Sequence, residues 1–210
     1  MHFGLIGATG LIGREVVKAL LADTDCEHLR VFARKSSLSS HPKMDWRVVE
    51  FDRLETKADC RGLNAMLCAL GTTTGVAGKA GLERVDHDYV VAAGKAARAA
   101  GCERFAVISA VGASPHAAVH YSRTKGRMEA DLEALGFASL EILRPSLLLG
   151  QRNEHRAGEA LGQKLSPLLS PLLAGPLRRY RPIHARDVAA TMIDLAKRGE
   201  PGTHRRHLPL

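Results

Sequence analysis

Three glycines at positions 7, 10 and 13, in GATGLIG, follow directly on the apolar run HFGLI and open a helical pattern. In that pattern Ile12, Val16 and Leu20 recur at i, i+4 and i+8, with Val17 and Leu21 alongside, which marks one face of an amphipathic helix. A strand that turns into a helix through glycines at this spacing is tightly constrained. One glycine permits the turn, another lets a ligand come against bare backbone, and a third allows close helix–strand packing. The helix start adds unpaired N–H groups and the positive end of a dipole, a ready site for an anion. The motif alone is common in ordinary turns; between a strand and a helix it points to a nucleotide pyrophosphate.

The order of elements then sets the fold class. HLRVFA (28–33) and WRVVEF (46–51) read as strands around a Ser/Pro-rich loop, and AMLCAL (65–70) is a buried run stopped by GTTTG. An alanine-rich helix is expected over 83–100, ended by Gly101 at its C-cap. A strand follows at 105–109, then a helix over 121–135 with Met128, Leu132 and Leu135 on one face. A further strand, 139–145, ends at Pro145, and a last helix covers 187–198. Continuously apolar strands alternating with helices imply an α/β protein: a Rossmann-type doubly wound parallel sheet in three αβα layers. The expectation is one domain over 1–210, with the segment 150–182, outside the rhythm, as a small substrate-side cap.

Composition narrows the partners. The chain has 210 residues, enough for a sizeable core, and only 4% are aromatic, so that core must be aliphatic and alanine-rich. Cys26, Cys60, Cys68 and Cys102 lie far apart without metal-ligand spacing, which reads as four reduced thiols in a cytoplasmic protein. The histidines also lack ligand spacing, so no metal is expected. The glycine-rich start does not make a signal peptide. No apolar run reaches membrane-spanning length, and the greasiest segment, 165–177, is broken by three prolines and reads as a lid or a protein-partner surface. The net charge of +8 comes without a dense basic run or aromatic interleaving, which argues against nucleic acid. Monomer and homodimer both stay open.

The expected nucleotide is NADP(H) in preference to NAD(H). About 20 residues past the glycines an NAD site carries an acid for the ribose 2′-OH; here Arg34 and Lys35 stand instead. A guanidinium pairs with a 2′-phosphate through two parallel hydrogen bonds, which an acid would repel. The alternative is that Arg34 is a solvated loop charge. Asp52, after the third strand, either accepts from the adenine amino group or caps a turn. Leu70, Gly71 and Thr72 end the fourth strand, where the chain passes close to the adenosine ribose.

A second constellation lies downstream. Tyr121 and Lys125 are four apart at a helix start and share a face, and Ser109 ends the fifth strand twelve residues before the tyrosine. Ligands of open parallel sheets bind at that edge, so the three can converge beside a nicotinamide. A carbonyl accepting hydride needs a proton donor; a phenol beside an ammonium supplies one, the lysine also holds ribose, and the serine orients the carbonyl oxygen.

GATGLIG, ISAVGAS, YSRTK, LRPSLLLG and IHARDVA, in that order, resemble the atypical short-chain dehydrogenase/reductase superfamily over nearly the whole chain. More narrowly, YSRTKGRMEADLEALGF and LEILRPSLLLGQRNEHRAGE resemble the NAD(P)H-binding, Tat-interacting-protein-like branch. The resemblance implies Ser109 as substrate orienter, Tyr121 as acid/base and Lys125 as the ribose-holding lysine. It also implies Thr9, Gly10, Leu11 and Ile12 on the pyrophosphate, and Pro145, Ser146 and Leu147 near the nicotinamide. The chain departs from the family's paired serines, having Ser109-Ala110, and is short after LRPSLLLG. The expected function is reduction or oxidation of a small carbonyl or alcohol with NADPH. The alternatives are a non-catalytic NADPH-binding regulator or scaffold, and an isomerase or dehydratase using bound cofactor. Arg152, His155 and Arg156 either hold an anionic substrate group or form a solvated basic loop; His184 is expected to stabilise the loop before the last helix, the alternative being a role in the site.

Overall fold

The computed structural model describes residues 1–37, 40–146, 148–149 and 182–209. Leu147, Arg152, His155, Arg156 and the Pro/Leu segment 165–177 lie outside the described residues, as does the expected cap up to residue 181.

Seven strands form one sheet: β1 (His2–Ile6), β2 (His28–Ala33), β3 (Met44–Val48), β4 (Ala65–Cys68), β5 (Arg104–Ile108), β6 (Ser139–Pro145) and β9 (Gly202–Leu208). A separate two-stranded pair joins β7 (Leu148–Leu149) to β8 (Ile183–His184). The order is β3-β2-β1-β4-β5-β6-β9 and every pairing is parallel. The chain reverses direction across the sheet between β1 and β4, and doubly wound folds bind their ligands at such a switch point.

Side chains alternate across each strand, so a sheet covered on both faces feeds two cores. Phe3, Leu5, Ala106, Ile108 and Leu143 face helices α1 (Leu11–Ala22) and α6 (Ala185–Arg198), packing on Val16, Leu20, Val188 and Met192. Ile6, Phe105, Val107 and Ile142 face the other way, toward α2 (Leu54–Lys57), α4 (Tyr89–Ala99) and α5 (His120–Glu133). There they meet Leu54, Val90, Ala93, Met128 and Leu132. The result is the three-layer αβα arrangement expected from the alternation of patterns. Among the described residues no helix is long and apolar enough to cross a membrane.

Three elements differ from the sequence reading. The third strand spans Met44–Val48 rather than 46–51, because Phe51 tucks its ring into the core and starts a 3-10 turn, Phe51–Arg53. The helix expected from residue 83 is preceded by α3 (Thr74–Glu83), which breaks at Gly78 (φ 68) and then runs through a π-helical turn, Arg84–Asp88, into α4. Glycines 75, 78 and 81 hid its first turns, since glycine is a poor helix former. The strand GTHRRHL at β9 carries almost no apolar signal. It lies at the sheet edge, where Arg206 pairs with the buried Glu141 of β6 and with Glu200.

Candidate active site

The first and third glycines of the turn are demanded by the chain itself. Gly7 has φ +90, and a Cβ there would lie 2.5 Å from the Ala69 carbonyl carbon. A Cβ on Gly13 would fall 2.0 Å from the Gly7 oxygen, so nothing larger lets α1 pack this closely on β1. Gly10 is different. Its φ is −73, and a Cβ would come no nearer than 3.4 Å to Gly7 O, so the fold tolerates a side chain there. Gly10 is the N-cap of α1 with no side-chain cap, and no acid stands in the first turn. An exposed, bare, uncapped helix start at the switch point fits a pyrophosphate, and Thr9, Gly10, Leu11 and Ile12 are the residues placed there.

At the end of β2, Arg34 and Lys35 are exposed. The Arg34 guanidinium stands 5.8 Å from the centre of the Phe51 ring, and the Lys35 carbonyl accepts from the Trp46 indole at 2.8 Å. Asp52 caps neither α2 nor the 3-10 turn through its side chain. Its Oδ1 accepts from the Tyr89 hydroxyl at 2.7 Å and pairs with Arg84 at 3.4 Å. Burial and then the Asp52 carboxylate raise the Tyr89 phenol above its ordinary value, which keeps it a donor.

Past β4, the Thr72 amide donates to Asp86 Oδ2 at 2.7 Å, beside Leu70 and Gly71. Asp86 sits in the π-helical turn and is wholly buried. Its Oδ1 lies 2.9 Å from the Lys125 ammonium, which also donates to the Ile108 carbonyl at 3.1 Å. Burial by itself would push Lys125 down, but Asp86, and after it Tyr121, hold the ammonium above its ordinary value. Tyr121 is half-buried one turn earlier on α5. Thus α5 carries Tyr121 and Lys125 to the same sheet edge as the glycine turn. Gly126 allows this approach, since a Cβ there would sit 2.0 Å from the Ser114 backbone.

Ser109 is placed at that edge with its amide bonded to Leu143 O at 2.7 Å, but its hydroxyl donates to the buried Glu129 of α5. Glu129 is gripped by Arg144 in a two-point contact and approached by Arg205 at 3.4 Å. Pro145 is buried and Ser146 half-buried at the end of β6. His184, expected to steady the loop before the last helix, is the N-cap residue of α6 but makes no side-chain cap. The four cysteines are free and buried.

Two buried acids of the candidate site, Asp86 and Glu129, escaped the sequence reading. Asp86 falls at i+4 from Leu82 and i−4 from Val90, both buried. An acid inside an apolar stripe is a signal that a buried partner is required.

A family described as NAD(P)H-binding matches residues 7–198. The chain is 34% identical to Protein HTATIP2 of Rattus norvegicus over 76% of its length and 68% of that protein's. It is 35% identical to the mitochondrial Protein FMP52 of Eremothecium gossypii, over 82% of its length and 77% of that protein's. The solved structure of MoeE5 in complex with UDP-glucose and NAD superposes with a TM-score of 0.71 at 16% identity, covering 98% of this chain and 75% of that one. The expectation of a cytoplasmic protein is overturned by the fungal relatives, which are named mitochondrial. Four reduced thiols suit any reducing compartment, and an address is carried by targeting segments rather than by the core, so composition could not separate the two.

Proposed function

Since the chain belongs to the NAD(P)H-binding family, in the atypical short-chain dehydrogenase/reductase group with HTATIP2 and FMP52, we propose that it is an NADPH-dependent oxidoreductase of a small carbonyl or alcohol. One observation carries this reading. The uncapped start of α1 and the buried Lys125 ammonium lie at the same C-terminal edge of one parallel sheet, on the two sides of its switch point. A dinucleotide lying across the switch point would set its pyrophosphate at the first and its nicotinamide ribose at the second.

The bound nicotinamide would supply or accept the hydride. The chain's own residues do the rest. The α1 amides and dipole hold the pyrophosphate. Lys125 donates one N–H to the Ile108 carbonyl and stands against Asp86 Oδ1 as an ion pair, and a further N–H would serve a ribose hydroxyl. Tyr121, one turn away, gives or takes the proton at the substrate oxygen. With its own proton committed to Glu129, Ser109 meets a ligand as an acceptor, which suits a substrate hydroxyl better than a carbonyl oxygen. Buried Pro145 and half-buried Ser146 would border the nicotinamide. Leu70, Gly71 and Thr72 would pass the adenosine ribose.

The preference for NADPH rests on Arg34 and Lys35, exposed at the end of β2 where an NAD site needs an acid. Arg34 lies against Phe51 at the mouth where a 2′-phosphate would enter. Asp52 spends Oδ1 on Tyr89 and Arg84 and keeps Oδ2 for the adenine amino group. The test is a fluorescence titration with NADPH and NADH. Arg34→Asp should weaken NADPH by about a hundredfold, the worth of a two-point charged contact, and leave NADH nearly unchanged. Equal NADPH affinity in wild type and variant would sink the assignment.

A further inference from the structure

The inference concerns Asp86 and rests on reading Lys125 as the lysine that holds the nicotinamide ribose. Both charges lie out of water, the Asp86 side chain 1% and the Lys125 side chain 2% exposed, with 2.9 Å between Oδ1 and Nζ. Removing two ions from water is costly, and such a pair persists only where geometry and further hydrogen bonds compensate. Here they do: the Thr72 amide donates to Oδ2, and the Ile108 carbonyl takes a lysine N–H. The turn that presents Asp86 is π-helical, a local widening that occurs often at functional sites. It keeps Asp86 on the buried line between Leu82 and Val90 while α3 passes into α4.

We propose that Asp86 is the positioning residue of this site, its carboxylate keeping the Lys125 ammonium charged and aimed along the C-terminal edge of the sheet. Among the described residues no other carboxylate pairs with Lys125. Glu83 pairs with Arg127, His87 bridges Asp88 and Asp131, and Glu129 belongs to Arg144 and Arg205. Glu133 likewise pairs with Arg205, and Asp52 is held by Tyr89 and Arg84. The Cys68 thiol, from β4, is pushed up to about 12 by burial and so stays neutral beside the pair. His120 turns its ring to the Lys79 carbonyl, and Arg123 donates to the Ala117 and Ala118 carbonyls. With Asp86 neutralised, burial acts on Lys125 unopposed except by Tyr121, and the ammonium loses its proton far more easily.

The experiment follows the Lys125 side chain directly, in the full-length chain labelled with ¹³C at lysine Cε, the resonance being assigned with Lys125→Met. Wild type should stay protonated past the ordinary lysine value of 10.5. Asp86→Asn should lower the midpoint by about two units or more and weaken NADPH about tenfold at neutral pH, the loss steepening as the pH crosses the new midpoint. A midpoint that does not move overturns the proposal, whatever the nucleotide does. A shifted midpoint with NADPH affinity intact supports the hold of Asp86 on Lys125 and overturns instead the ribose role of the lysine. Should Asp86→Asn not fold, the double variant Asp86→Asn/Lys125→Met, which buries no lone charge, decides. Its NADPH affinity should equal that of Lys125→Met, and a further tenfold loss would overturn the proposal.

Discussion

The two sides of the switch point hold their candidate ligand groups by opposite means. On the β1–α1 side the work falls to backbone: Gly7 and Gly13 let the strand and helix touch, and Gly10 leaves the helix start bare. On the β4–β5 side it falls to buried polar and charged side chains, Lys125 against Asp86 and Ser109 against Glu129. Gly7 and Gly13 tolerate no added atom, but a backbone-built site carries no charge to misplace. Charge-built sites fit their surroundings sterically and fail when one partner goes. The same contrast divides the steric from the electrostatic response to mutation.

Three variants break or sharpen that contrast. The largest effect is expected at Gly13→Val, whose Cβ would lie 2.0 Å from a backbone oxygen that cannot turn aside. A loss of about 5 kcal/mol or more should appear as a collapse of the thermal transition, with NADPH binding gone. Next comes Lys125→Met, which leaves Asp86 buried without its cation and should cost about 3–5 kcal/mol in urea unfolding at pH 7. The pH dependence has a definite sign. Lys125 is held above its ordinary value of 10.5, so its contribution is complete below that pH and is lost as the pH rises through the folded value. The gap between wild type and variant should therefore be full from pH 7 to 10 and narrow beyond. The smallest effect belongs to Gly10→Ala: unchanged unfolding, with NADPH weakened about tenfold, roughly 1.4 kcal/mol. A drop in stability there would erase the distinction between Gly10 and its two neighbours.

The same division decided what could be read from the chain alone. GATGLIG was legible because Gly7 and Gly13 answer steric needs that fixed spacing exposes, with Gly10 between them at the helix start. The parallel sheet was legible because strands buried on both faces are uninterrupted apolar runs. The edge strand β9 was not, since Arg205 and Arg206 are satisfied by Glu133, Glu141 and Glu200, acids distant or invisible to a local pattern. Asp86 was missed for a related reason: its partner stands 39 positions further along, and only the folded chain brings them within 2.9 Å. Ser109 was found at the right edge, yet its hydroxyl direction depends on Glu129, whose burial no spacing rule announces.

The β9 edge has a bearing on how copies of this chain behave when crowded. An open strand offers unpaired amides and carbonyls on which another chain can stack. Here the outermost strand carries arginines and histidines, and Arg205 and Arg206 are tied back to acids of α5, β6 and the segment before β9. A neighbour docking along that rim would have to strip water from these ion pairs on both sides of the strand. Self-association by sheet extension is thus discouraged at the rim by the same residues that fasten it to β6.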